Sequence, residues 1–277
     1  MIKISANNYH LYTEWAKKNT ANRVFPCSIT EGLQSGEIYA DDDTDTNAVF
    51  FWHYCGFGYI SGKASAVFLN DIYELMASGG RRLVLITRED DVIAFFRDRE
   101  NIQMDTRAEY VYPPAETDTV FMSDQESAIQ NPGAAIQDPG AAINNQGFAI
   151  EKISAENIAG ITGRIVPSFS WESPDRFLMN GFGYVALEGD RICAVAFSAG
   201  ISSEEVDIGV ETHEEYRGRG LASALAGKMC EHIMRIGKKP LWGHAGTNTG
   251  SMKTALKCGF IQTGTDTVIR VKDAGQN

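Results

Sequence analysis

EVDIGVETHEEYRGRGLASALAGKMCEHIMRI, residues 205–236, changes its periodicity twice within one stretch. Val206, Ile208, Val210 and Thr212 alternate and share one face of a predicted strand. From Leu221 the apolar residues recur at helical spacing, through Ala224, Leu225, Met229, Ile233 and Ile236. Between them lies Tyr216-Arg217-Gly218-Arg219-Gly220-Leu221-Ala222. A strand, a glycine-rich turn and a helix N-terminus aim free N–H groups and the positive end of a helix dipole at one point, which suits a phosphate. Gly218 and Gly220 let an anion approach the main chain, and Arg217 and Arg219 add charge. The plainer alternative is a glycine-rich helix start that only caps. The stretch is neither a GxxxxGK[ST] loop nor a dinucleotide GxGxxG fingerprint, because Ser223 stands where the third glycine would be.

On the C-terminal side, PLWGH (240–244) reads as a strand, GSMKTALKCG (250–259) as a helix and FIQTGTDTVIRV (260–271) as a strand. On the N-terminal side, residues 183–200 form a hairpin turning at Glu188-Gly189-Asp190-Arg191. Before it come a helix capped by Ser173 with Pro174 at its first position, a helix opened by Ser154 (SAENIAGI), and the strand FAIEKI, 148–153. These elements imply one mixed sheet with helices on its faces.

Residues 128–148 contain the units AIQNPGA, AIQDPGA and AINNQGF. Their prolines and glycines exclude a continuous helix and indicate a linker. Earlier, GEIYADD, AVFFWHY, RRLVLIT and AEYVY read as strands, AVFLNDIYELMAS and DDVIAFFRDR as helices. The expected organisation is an N-terminal α/β domain (1–121), a Pro/Gly linker (122–147) and a C-terminal α/β domain (148–277).

The chain has 277 residues and a formal net charge of -11, which opposes general nucleic-acid binding. Its acidity weakly favours an amine-bearing substrate, although surface carboxylates more often serve solubility. The five cysteines have neither disulfide-framework nor zinc-ligand spacing. No apolar run approaches a membrane span and no signal peptide is evident, so a cytoplasmic protein without membrane partners is expected.

Arg217, Gly220 and Ala222 fit a loop of Gln or Arg, two residues, Gly, one residue, then Gly or Ala. Asn248, Ser251, Gly259 and Phe260 fit a closing N-xx-S-(7)-GF pattern. With the strand before and the helix after, residues 148–271 resemble the GNAT superfamily of acetyltransferases. THEEYRGRGLA and PLW…N..S resemble a bacterial subgroup with an additional N-terminal domain, which could be a degenerate copy of the same fold.

The resemblance implies acetyl-CoA as cosubstrate, no metal, and a small-molecule amine as acceptor. It assigns Val210, Glu211 and Thr212 to the pantetheine arm, residues Arg217, Gly218, Arg219, Gly220, Leu221 and Ala222 to the pyrophosphate, and Asn248 and Ser251 to the cofactor arm. The amine would attack the thioester directly in a ternary complex, after a base removes its proton. Candidate catalytic residues are Asp207 and Glu211, on one strand face, and His244 at the end of the next strand. The superfamily often places a proton-donating tyrosine seven residues after the Asn, but position 255 is alanine. That departure leaves open a noncatalytic CoA-binding module. Acylation of a protein amine is a further alternative, and pairing of two copies through an edge strand is compatible with the sequence.

Overall fold

A computed structural model describes residues 1–113 and 147–272. The repeats of 128–148, apart from Gly147 and Phe148, lie outside the described residues. The first half runs β1 (Ile2–Lys3), a 3-10 helix (Ala6–Tyr12), α1 (Thr13–Lys17), α2 (Val24–Thr30), β2 (Gly36–Ala40), β3 (Ala48–His53), β4 (Phe57–Gly62), α3 (Ala66–Ala77), β5 (Val84–Thr87), α4 (Asp90–Arg97) and β6 (Ile102–Val111). The second half runs β7 (Ala149–Lys152), 3-10 turns at Ile158–Gly160 and Pro167–Phe169, α5 (Pro174–Asn180), β8 (Gly183–Glu188), β9 (Arg191–Ile201), β10 (Glu205–Thr212), α6 (Leu221–Arg235), β11 (Lys239–Ala245), α7 (Thr249–Lys257) and β12 (Ile261–Val271).

Among the described residues twelve strands join one mixed sheet, in the order β1-β2-β3-β4-β5-β12-β6-β11-β10-β9-β8-β7. The two halves repeat one topology. In each, an antiparallel run leads into a parallel pair bridged by a helix, β4–α3–β5 and β10–α6–β11, and then into a helix and a last strand. Those last strands change places. β6 pairs with β11 of the second half, β12 pairs with β5 of the first, and the two run antiparallel to each other along their length. The sheet is therefore continuous across both expected domains.

Most predicted elements are present, with informative exceptions. Ser154 does not open a helix; Asn157 Oδ1 accepts its N–H at 2.9 Å, and only the turn Ile158–Gly160 follows. Side-chain competition for the backbone and the nearby glycines Gly160 and Gly163 account for this. Helix α2 carried no amphipathic signal because all seven of its residues are buried. It packs against β3 of its own half and β9 of the other. The cap at Ser173 formed as expected, its Oγ accepting the Arg176 N–H at 3.2 Å. Ser173→Ala is expected to cost about 1 kcal/mol, read as a small fall in thermal midpoint.

Two apolar cores flank the first half of the sheet. One lies under α3 and α4 (Phe68, Ile72, Phe96) and the other under α1 and α2 (Val24, Phe25, Phe51). In the second half, α6 buries Leu221, Ala224, Leu225, Met229 and Ile233 as predicted, whereas Ile236 lies just beyond the helix and is exposed. No helix among the described residues is long and apolar enough to cross a membrane.

Candidate active site

Strands β10 and β11 pair only at Glu205–Lys239, Val206–Pro240 and Asp207–Leu241. Beyond a register shift at Asp207/Ile208, β10 continues on β9 to Thr212 while β11 continues on β6 to Ala245. The two strands thus part into a cleft. His213 donates its N–H to Cys193 O on β9, so by alternation Val210 and Thr212 direct their backbone groups away from β9, into the cleft. Thr212 O is met there by Arg217 Nε at 3.3 Å. Thr212 Oγ1 is buried without a partner.

The loop from Arg217 to Ala222 stands at the mouth of this cleft. Gly218 and Gly220 have φ of +80° and +82°, the left-handed region that glycine adopts without strain. A Cβ added at either would meet nothing of the protein within 4 Å, so the space beside them is open. The first internal bond of α6 is Ala224 N–H to Gly220 O. Among the described residues no acceptor takes the N–H of Gly218, Arg219, Gly220, Leu221, Ala222 or Ser223. Such a row of donors at a helix N-terminus fits a pyrophosphate, and the parted β10 edge fits an extended amide-bearing arm such as pantetheine. The two arginines differ: Arg217 is exposed beside Thr212, while Arg219 turns to Glu188 (3.6 Å) and stacks over Tyr216 (5.0 Å) and Phe148.

The corresponding position in the first half is closed. Strands β4 and β5 also part after Phe57–Val84 and Gly58–Leu85, but Asn19 Nδ2 fills the edge by donating to Ile60 O (2.9 Å) and Ser61 Oγ (3.2 Å). Ser65 Oγ accepts the Phe68 N–H and so occupies the α3 N-terminus.

The three predicted catalytic residues are not assembled at one point. Asp207 lies on the α2 face of the sheet, buried, accepting from Asn22 Nδ2 at 2.9 Å, with Arg107 Nη2 at 3.7 Å. Arg107 Nε also donates to Glu109 Oε1 at 2.6 Å, and Asn22 Nδ2 reaches Glu109 Oε2 at 3.3 Å. Burial pushes both carboxyls above the usual carboxylate range, against the lowering charge of Arg107; for Glu109 the charge of Asp207 pushes the same way. The room for Arg107 comes from Gly243, where an added Cβ would fall 2.1 Å from Nη2. Glu211, on the same face, accepts the Ile165 N–H at 3.1 Å and so tethers the segment after Gly163, with Arg217 Nη2 at 3.9 Å.

His244 follows Trp242 by two residues, and that face packs on α6 and α7, opposite Asp207. Its Nε2 is 3.2 Å from the Tyr110 hydroxyl and its Nδ1 is 2.8 Å from Ala245 O. The contact to a carbonyl assigns the proton to Nδ1, so Tyr110 donates to Nε2. Asn248 caps α7, Oδ1 accepting the Ser251 N–H at 3.0 Å, and Ser251 Oγ accepts from Trp242 Nε1 at 3.0 Å. Ala255 is fully buried in the same core.

Glu109, Arg107, Asn22 and Tyr110 were not foreseen because all belong to the first half. Their visible trace is Gly243 and Gly264, which pair with Glu109 from the strands on either side and make room for Arg107 and Arg88.

The GNAT acetyltransferase family model matches residues 11–268, nearly the whole chain. An uncharacterized N-acetyltransferase, YdfB of Bacillus subtilis (strain 168), is 24% identical over 244 residues, which cover 85% of each chain. A GCN5-related N-acetyltransferase-like protein from Streptococcus suis 89/1591 shares the fold, with a TM-score of 0.70 at 20% identity, over 97% of this chain and all of that one. A tandem GNAT protein from the clavulanic acid biosynthesis pathway also shares it, at TM-score 0.56 and 11% identity, over 100% of this chain and 98% of that one. The chain belongs to the GNAT acetyltransferase family and is an acyltransferase.

Proposed function

We propose that the protein N-acetylates a small-molecule amine with acetyl-CoA, by direct attack within a ternary complex, in the cytoplasm. The observation that carries this reading is the parted β10–β11 pair opening beside six free N–H groups at the α6 N-terminus. When bound, acetyl-CoA supplies an activated acyl carbonyl and a thiol leaving group. Residues 217–222 hold the pyrophosphate, and Val210 and Thr212 hold the arm, with a cleft-facing N–H available to the developing oxyanion. Glu211, Asn248 and Ser251 shape the cleft through their own hydrogen bonds to Ile165, the α7 N-terminus and Trp242. The five cysteines are free, four of them buried, which supports the cytoplasmic placement.

For the acceptor side we assign proton removal to Asp207, acting with Glu109 through water. Their raised pKa values bring a carboxylate closer to matching an amine at neutral pH. A base must be deprotonated, so kcat/KM is expected to climb as pH rises, with its inflection above the ordinary carboxylate range. Asp207→Asn is expected to lower kcat/KM on the order of 100-fold or more and to remove that inflection. Linkage has the opposite sign: carboxyls raised in the folded state hold extra protons there. Their contribution to stability is present below the unfolded value and lost as pH rises through the folded one. A pH profile with its inflection at the ordinary carboxylate value would contradict the assignment.

On the opposite face, the Tyr110 hydroxyl, held by His244, is our candidate for the proton donor that Ala255 cannot supply. Steady-state thiol release with acetyl-CoA over a panel of amines tests the function. Ala255 also favours a second reading, a noncatalytic CoA-binding module, for which the panel would give tight binding and no turnover.

A further inference from the structure

Between the two halves, on the Asp207 face, two guanidinium groups, Arg82 and Arg107, each lie 5.3 Å from the centroid of the Phe57 ring. Arg107 continues to Asp207 at 3.7 Å. Phe169, from the second half, meets Phe57 edge-on at 5.9 Å and lies 6.0 Å from the Arg82 guanidinium. Arg82, Phe57, Arg107 and Asp207 therefore form an unbroken path from a solvent-reachable arginine to the buried carboxylates.

The charges along that path are unevenly matched. Arg107 is paired with Glu109, and Arg270 with Asp105. Among the described ion pairs none includes Arg82 or Arg164, in a chain whose acidic residues outnumber its basic ones 36 to 25. Arg82 Nη1 donates to Cys55 O at 2.6 Å, which fixes the guanidinium while the rest of its donor fork stays free. Partial desolvation lowers the Arg82 pKa; Cys55 opposes this, and the charges of Arg270, Arg164 and Arg107 add to it. Among the described residues no carboxylate pairs with Arg82, so its remaining donors are open to an anionic group.

Resting on the acetyl-transfer reading above, we propose that the acceptor amine carries a carboxylate, bound by Arg82 beside Phe57 and Phe169. A guanidinium fork matches a carboxylate in two parallel hydrogen bonds, and the aromatic faces shield the pair from water. With the carboxylate held there, the amine of an amino acid or short peptide is directed toward Arg107 and the Asp207–Glu109 pair. The substrate class is thus an amine with a free carboxylate.

The test compares amino acids and γ-aminobutyrate with their carboxamides, and O-phosphoethanolamine with ethanolamine, in the acetyl-CoA thiol-release assay. The full-length protein should acetylate at least one free carboxylate with kcat/KM tenfold or more above its carboxamide. Arg82→Gln should erase that ratio, mainly through KM, with the acetyl-CoA Kd from calorimetry unchanged. Arg82→Lys, which can keep the bond to Cys55 O but lacks the planar fork, should narrow the ratio without the folding risk of Arg82→Gln. Equal rates on carboxylate and carboxamide, preference for the phosphorylated amine, or no turnover of any free carboxylate would overturn the proposal. If acetyl-CoA is not bound at all, the failure is that of the acetyl-transfer reading on which the proposal stands.

Discussion

Gly220→Val is expected to weaken acetyl-CoA binding by at least about 100-fold, near 2.8 kcal/mol at about 1.4 kcal/mol per tenfold, while the protein stays folded. Gly220 has φ +82° and its missing Cβ points into open space beside the free N–H groups of the loop. A valine side chain would occupy the volume the pyrophosphate needs, and strain of about 1–2 kcal/mol at a left-handed position would tilt the donors out of line. The same strain without the same location is available at Gly237, past the end of α6, with φ +74° and equally open surroundings. Gly237→Val should therefore lower thermal stability comparably and leave the Kd unchanged. Equal loss of binding in both variants would mean that strain, and not occupation of an anion site, is being read.

The second large effect concerns folding. Expressed alone, residues 148–277 should fail to form a stable domain, because the strand exchange takes β6 from β11 and both β5 and β6 from β12. In the intact sheet Leu241–Ala245 of β11 pairs with Arg107–Val111, and β12 pairs with β6 along Ile261–Val271 and with β5 at Thr267–Ile269. Deleting the first half leaves both strands with open edges, and exposes the β9 and β10 surface that α2 covers. Circular dichroism and gel filtration of the fragment should show an unfolded or aggregated chain. Co-expression with residues 1–121, which supply β6 and β5, should restore a soluble complex. A monomeric 148–277 fragment that unfolds cooperatively would contradict the coupling of the halves. We accordingly propose that segments 1–121, 122–147 and 148–277 act as two interdependent halves and a connection.

The elements around the proposed cofactor cleft were legible in the sequence because they are local. Alternation in 205–212, two glycines and a helical stripe lie within one short stretch, and the structure turns each into a neighbouring element. Asn248 and Ser251 were legible as a pattern, although the structure employs them in a cap and a tryptophan contact. The acceptor side we propose was not legible, because its residues lie far apart in sequence. Asn22 meets Asp207 across 185 positions, and Arg107 and Glu109 arrive on a strand that leaves its own half. The acidic composition pointed weakly to a cationic acceptor, whereas the local environment of Arg82 points to an anionic group on it. Net charge reports on the whole surface, and recognition depends on the few unpaired groups that face the ligand.

The most direct test is amide hydrogen exchange of the full chain with and without acetyl-CoA. Protection should appear at Gly218 through Ser223 and at Val210 and Thr212, whose N–H groups face the cleft. The first-half counterpart around Ile60 and Ser61, already closed by Asn19, should not change. Binding seen by calorimetry with no new protection at Gly218–Ser223, or with protection confined to the first half, would contradict the assignment of the cofactor site to the β10–β11 cleft.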